Sequence, residues 1–179
     1  MTEIPRGSVV VVDSSVLIAM GSPDNQKYQA FEEYVESRNL DIVVPERVAE
    51  EVDDAPEAYE FGRRRLVEAA GAGWLERNEL DFSAPGVSRV VDRTRERMAK
   101  LSAEGVDEDD IEKTDTVLSG HVVGILESGE TDFVTLLVSD RLAESANEDV
   151  LNAEGYSDGC QVVEGRRFLR GILERGSLK

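Results

Sequence analysis

The sequence predicts an α/β fold, a three-layer α/β/α sandwich around a mainly parallel central sheet. Three observations lead there. Short apolar, β-branched runs alternate with segments of helical periodicity along the chain. The clearest runs are apolar throughout rather than every second residue, as in strands covered on both faces. Acidic residues stand where several of these elements end or begin, the edge at which open parallel sheets hold ligands. At 179 residues, with no Pro/Gly/Ser-rich divide, the chain reads as one domain over 1–179, with a helical elaboration around 53–106.

Ser8 to Val12 is a buried central strand that ends at Asp13. Ser14 and Ser15 can cap the short helical segment VLIAM, which Gly21, Ser22 and Pro23 stop. From Gln26 to Arg38, Tyr28, Phe31, Tyr34 and Val35 recur at three- or four-residue intervals, giving an amphipathic helix. A strand follows at Ile42 to Val44, and Pro45 suits the first turn of the next helix. Helical pattern runs from Ala55 to Ala70, and Gly71 and Gly73 break it. Trp74 to Leu80 is a short strand or extended connection. Gly86 to Lys100 is helical, Glu104 to Asp110 is a solvated loop or helix start, and Ile111 to Leu126 is helical again. Phe133 to Val138 is a strand. A helix at Arg141 to Glu148, a strand at Gln161 to Val163 and a helix at Arg166 to Glu174 complete the alternation.

Charge is the unusual global property. Thirty-eight Asp and Glu face 20 Lys and Arg, a net charge of −18, and only four of the cations are lysines. Such a surface suits a salt-loving microbe, because high salt screens the self-repulsion that otherwise opposes compaction. In molar salt the same screening removes most of the objection to a nucleic-acid substrate. No apolar run is long enough to span a bilayer and no secretory leader is visible, so a cytoplasmic protein without membrane contact is expected. Cys160 is alone, which excludes an intramolecular disulfide and argues against a Cys-based zinc site.

The acids carry the chemistry. Asp13 and Asp140 each follow an apolar strand, and each could also serve as a helix N-cap. Asp115 precedes Leu118 and Val122 on the buried side of its helix, where an unpaired carboxylate is expensive. Glu112 lies a turn earlier, in an acidic run that suits a solvated surface. Glu50 and Glu51 compete for the place after the second strand; Glu51, beside Val48 and Val52, aims nearer the sheet edge. Oxygen-only donors favour hard cations, magnesium or manganese, over zinc.

Taken in order, VVVVDSSVLIA, VPERVAEEV, TDTVLSGHVVGIL and VTLLVSDR resemble the PIN-domain nucleases, which include VapC-type toxin ribonucleases and ribosomal-RNA processing enzymes. The tail CQVVEGRRFLRGI is similar to that family's last strand and helix. The resemblance implies a Mg/Mn-dependent endoribonuclease in which Asp13, Glu51, Asp115 and Asp140 bind metal and catalyse, with Ser14 and Ser139 in support. It implies RNA as substrate, and an antitoxin, a processing-complex protein or a second copy in a homodimer as partners. The extra length over 53–106 departs from the compact toxins.

Two other readings stand beside it. One is a catalytically inactive PIN-like module that binds RNA or protein. The other is a receiver- or phosphatase-type domain with Asp13 as phosphoacceptor; it wants a nearby lysine, for which Lys113 is the candidate, and a second Asp where Ser15 stands. Arg89, Arg93 and Arg97 recur every four residues and are the candidate RNA-binding stripe, or surface partners of the many acids. Arg63 to Arg65 and Arg166, Arg167 and Arg170 form further clusters. His121 reads as an exposed or hydrogen-bonded helix residue, the aromatics from Tyr28 to Tyr34 as core rather than base-stacking groups, and Cys160 and Trp74 as packing residues.

Overall fold

The computed structural model describes residues 3–54, 70–71, 73, 75–102 and 113–176; the side chains of residues 51–54, 113, 114 and 176 are not among them. The helix expected from Ala55, apart from its last residue, lies outside the described residues, as do Arg63 to Arg65, Trp74, the acidic run Glu104 to Asp110, and Glu112.

Five strands form one sheet: β1 (Val9–Val12), β2 (Asp41–Pro45), β3 (Leu75–Asn78), β4 (Val134–Val138) and β5 (Cys160–Glu164). Their order is β3-β2-β1-β4-β5 and every pairing is parallel. The helices among the described residues are α1 (Ser14–Met20), α2 (Gln26–Arg38), α3 (Glu46–Asp54), α4 (Pro85–Leu101), α5 (Lys113–Ser128), α6 (Arg141–Ala153) and α7 (Gly165–Gly176). The chain steps outward from β1 to β3, crosses back to β4, and steps outward the other way to β5. With right-handed crossovers, that reversal puts helices on both faces and opens a crevice at the carboxyl ends of β1 and β4. Accordingly α1, α2 and α7 pack together, while α4 packs on α5 and α6.

The apolar runs fold as they do because both faces are covered. Val10, Val11, Val12, Leu136 and Leu137 are all fully buried, a burden that β-branched and leucine side chains meet without leaving polar atoms unpaired. β3, by contrast, is an edge strand with only Leu75 buried, so its sequence carries little strand signal. Pro45 closes β2 instead of opening the helix. It stands beyond the last β1–β2 register pair, Val11 with Val43, where no N–H is needed on that side.

The aromatic stripe of α2 is core. Phe31 and Tyr34 meet Phe168 of α7 edge-on, with ring centroids 6.4 and 5.2 Å apart. The Ile4 N–H donates to the Tyr34 hydroxyl at 3.1 Å, and the Arg38 guanidinium lies 4.9 Å over the same ring. These rings are therefore not available to stack on bases. No helix among the described residues is long and apolar enough to cross a membrane.

Candidate functional site

Asp13 leaves the sheet at the reversal of strand order. Its backbone N–H donates to the Leu137 carbonyl at 3.0 Å, extending the β1–β4 ladder by one residue and pinning Asp13 against β4. It occupies the N-cap position of α1, yet its side chain makes no capping bond. Instead the carboxylate accepts from the hydroxyls of Ser15, at 2.7 Å, and Ser14, at 3.3 Å. Only 2% of the residue is exposed. Burial pushes its pKa up, and the two serine hydroxyls only partly counter that. Among the described residues no cationic side chain pairs with this buried carboxylate, which the two serine hydroxyls hold.

Asp140 lies two residues past the end of β4, on the other flank of the same boundary. It is exposed, and one of its oxygens caps α6 by accepting from the Ala143 N–H at 2.9 Å. Its other oxygen is not used by that cap. Half-buried Ser139 separates it from β4. Asp115 is half-buried in the first turn of α5, a helix that packs on β1 and β4. Glu50 and Glu51 sit on α3, which follows β2 and packs on α1. Exposed Glu50 lines a cavity of about 260 Å³ with Glu46, Arg47, Phe82 and His121, and none of Asp13, Asp115 and Asp140 borders it. The backbone of Glu51 belongs to α3, and its side chain lies outside the described residues, as does that of Lys113. Among the described residues, no three His, Cys, Asp or Glu side chains form a group that could hold a metal ion. Asp13 and Asp140 thus follow the carboxyl ends of the neighbouring strands β1 and β4, and Asp115 lies in the first turn of α5, which packs on both strands; the side chain of Glu51 lies outside the described residues.

The chemistry of the donors still fits a hard divalent cation. They are oxygens only, one of them on a buried carboxylate without a countercharge among the described residues. Both serine hydroxyls donate to Asp13, and Ser15, not named as a supporting residue from the sequence, is a closer partner than Ser14 is. A second hydroxyl after a strand-ending Asp was the available signal for that role.

His121 corrects the sequence reading. It is 3% exposed, its Nδ1 has no hydrogen-bond partner among the described residues, and burial lowers its pKa to about 4. It is a neutral imidazole shut between α5 and the β3–α4 connection, where Leu80 packs toward Gly120 and Gly124. The stripe of α4 is paired. Arg89 meets Glu154 at 2.7 Å, Arg93 meets the same carboxylate, and Arg97 meets Asp149 at 2.6 Å. These three guanidinium groups tie α4 to the end of α6. Cys160 is half-buried with its thiol on the Tyr156 carbonyl at 3.2 Å, and burial raises its pKa to about 11, so it is a packing residue and not a reactive thiol.

An open parallel α/β domain with carboxylates at its strand-order reversal is the architecture that sequence similarity now specifies further. The pattern of the family described as Halobacterial PIN domain matches residues 6–176, and the chain belongs to that family. A structure described as VapBC2 from Rickettsia felis bound to a DNA fragment from their promoter aligns over 87% of this chain and 98% of that one. Its TM-score is 0.48 and its sequence identity 13%, a likeness too distant to carry an argument.

Proposed function

We propose that this chain is a magnesium- or manganese-dependent endoribonuclease working at the carboxyl edge of β1 and β4. The observation that carries the reading is Asp13: buried, set at the strand-order reversal, and held by two hydroxyls with no cationic partner among the described residues. Asp13, Asp140, Asp115 and Glu51 would hold the ion, Glu51 being preferred because Glu50 borders a different cavity. When bound, such an ion supplies Lewis acidity that activates water for attack on a phosphodiester and offsets charge on the departing oxygen. Ser14 and Ser15 hold the Asp13 carboxylate in one orientation, and the cap on α6 does the same for Asp140. His121, neutral and enclosed, takes no part as acid or base.

The family resemblance points to RNA, in toxin action or RNA processing. An antitoxin or processing-complex protein would meet the chain at the same edge, where Ile18 of α1 and Leu142 of α6 are exposed large hydrophobic residues. A silent RNA- or protein-binding module is the second reading, favoured by the missing three-acid group among the described side chains.

Calorimetric titration separates the two. The nuclease reading requires saturable Mn²⁺ binding by the native protein that Asp13→Asn weakens at least about 10-fold, the scale on which even indirect disturbance of a metal site registers. Absence of divalent-ion binding, with Asp13→Asn and Asp140→Asn leaving thermal stability in Mn²⁺ unchanged, leaves the silent module.

A further inference from the structure

Most described arginines are taken up by acids. Arg38 and Arg175 meet Glu3, Arg89 and Arg93 meet Glu154, Arg97 meets Asp149 and Arg167 meets Glu144. With 38 acids in the chain, that is the outcome to expect of any surface cation. One groove gathers several cations of the unpaired kind. Lys27, Arg166 and Arg170 line a cavity of about 400 Å³ with Ala19, Leu169 and Leu173, and among the described residues none of the three side chains has an ion pair, although the Arg166 backbone N–H donates to the Glu164 carboxylate at 3.1 Å. The Lys27 ammonium donates instead to the Ala19 carbonyl at 3.4 Å, which keeps it over the end of α1.

The groove has a defined relation to the acids. Gly165, the first residue of α7, packs so closely on α1 that a Cβ there would strike the Val16 side chain and come within 3.2 Å of the Val138 carbonyl. Val16 lies three residues after Asp13, and Val138 two before Asp140. The first turn of α7, with Arg166, is therefore fixed beside the acidic edge, and Arg170 follows one turn along. Residues at that interval lie about 6 Å apart on a helix face, a spacing on the scale of successive phosphates in an extended strand. Half-buried Leu173 adds an apolar face that suits sugars and bases between the charged contacts.

We propose that the groove lined by Lys27, Arg166 and Arg170 holds the phosphate backbone of single-stranded RNA on its way to the acidic edge. This rests on the ribonuclease reading. In a chain of net charge −18, cations without acid partners that converge on one channel are complementary to a polyanion. Guanidinium groups also grip phosphate with two parallel hydrogen bonds, which survive salt better than point-charge attraction does.

The test uses the whole protein in chelator, so that binding is read without cleavage. Fluorescence anisotropy of a labelled oligouridylate is followed through a KCl series in which circular dichroism shows the fold intact. Arg166→Ala/Arg170→Ala should weaken binding at least about 10-fold and lower the slope of log K against log salt by roughly 1.4, about 0.7 per lost phosphate contact. Arg166→Lys/Arg170→Lys, which keeps the charges and guards against a folding defect, should restore the slope and only part of the affinity. Unchanged affinity and slope in the alanine variant overturn the groove while leaving a Mn²⁺-dependent cleavage activity in place. Groove-dependent binding without cleavage does the reverse. A native protein that binds poly-glutamate and no RNA overturns it as well.

Discussion

The two helical layers treat their polar groups differently. In the layer of α4, α5 and α6, several charges and hydroxyls pair with one another across helices. Arg89 and Arg93 share Glu154, whose side chain is 7% exposed; Tyr156 donates to Glu127 at 2.6 Å, which with burial raises its pKa to about 12; and the hydroxyls of Thr94 and Ser119 bond at 2.8 Å in the core. In the layer of α1, α2 and α7, the described residues give Asp13 no countercharge and the side chains of Lys27, Arg166 and Arg170 no ion pair. Polar groups of the first kind hold helices together, and those of the second kind are left for a ligand. Apart from Asp115 and Asp140, which α5 and the cap of α6 contribute to the proposed acidic edge, substitutions in the first layer should change stability, and substitutions in the second should change what metal or RNA does.

The largest expected effect belongs to His121. Its folded-state pKa is lowered to about 4, below the ordinary 6.5, so the unfolded chain binds the extra proton between those values. Its contribution is fully present above pH 6.5 and is lost as pH falls toward 4, on the order of 3 kcal/mol in all. Urea unfolding across that window should show His121→Leu losing less stability than the native chain on acidification. Equal losses would mean that His121 is not enclosed as described.

Glu154→Gln breaks the seam between α4 and α6. It should cost about 1.5–3 kcal/mol, the worth of hydrogen bonds to charged groups, since Arg89 and Arg93 keep contact with water. It also liberates two guanidinium groups. Oligouridylate binding should nevertheless stay at the native level, and a gain in RNA affinity would erase the distinction between the two layers.

In the other layer, Asp13→Asn should stabilise the protein in chelator. Burial raises the Asp13 pKa, so the charged form at neutral pH opposes folding; that opposition grows as pH rises from 3.8 and is complete above the folded-state pKa. The amide removes it, and Ser14 and Ser15 can turn to match the new group. A rise in Tm of about 2–4 °C corresponds to relief of roughly 1 kcal/mol in a domain of this size, and it should be accompanied by loss of the Mn²⁺-induced shift. The smallest effect is Thr94→Val, about 1 kcal/mol from the bond to Ser119, with metal response and RNA binding untouched.

Much of the fold was legible because its signals are local. Val9 to Val12 is apolar from end to end and Val134 to Val138 is so but for Thr135, and the Asp13 and Asp140 positions follow from where those runs stop. What the sequence did not convey depends on distant partners. The spacing of Arg89 and Arg93 identifies one helix face but not Glu154, more than sixty residues on. His121 looks like any polar helix residue until Leu80, from the β3–α4 connection, packs beside it against Gly120 and Gly124. The same limit applies to the α7 arginines: their cluster is visible in GRRFLRG, whereas the ion pair of Arg167 with Glu144, and its lack among the described residues for the Arg166 and Arg170 side chains, appear only when α1, α2 and α6 are in place.

Cleavage of short end-labelled RNAs in high salt with Mn²⁺, comparing the native chain with Asp13→Asn/Asp140→Asn, tests the assignment of the acidic edge most directly. The account predicts discrete products from the native protein, none in chelator, and a loss of at least about 100-fold in the double variant, the lower end of what positioned catalytic groups contribute. Equal cleavage by both proteins would contradict it.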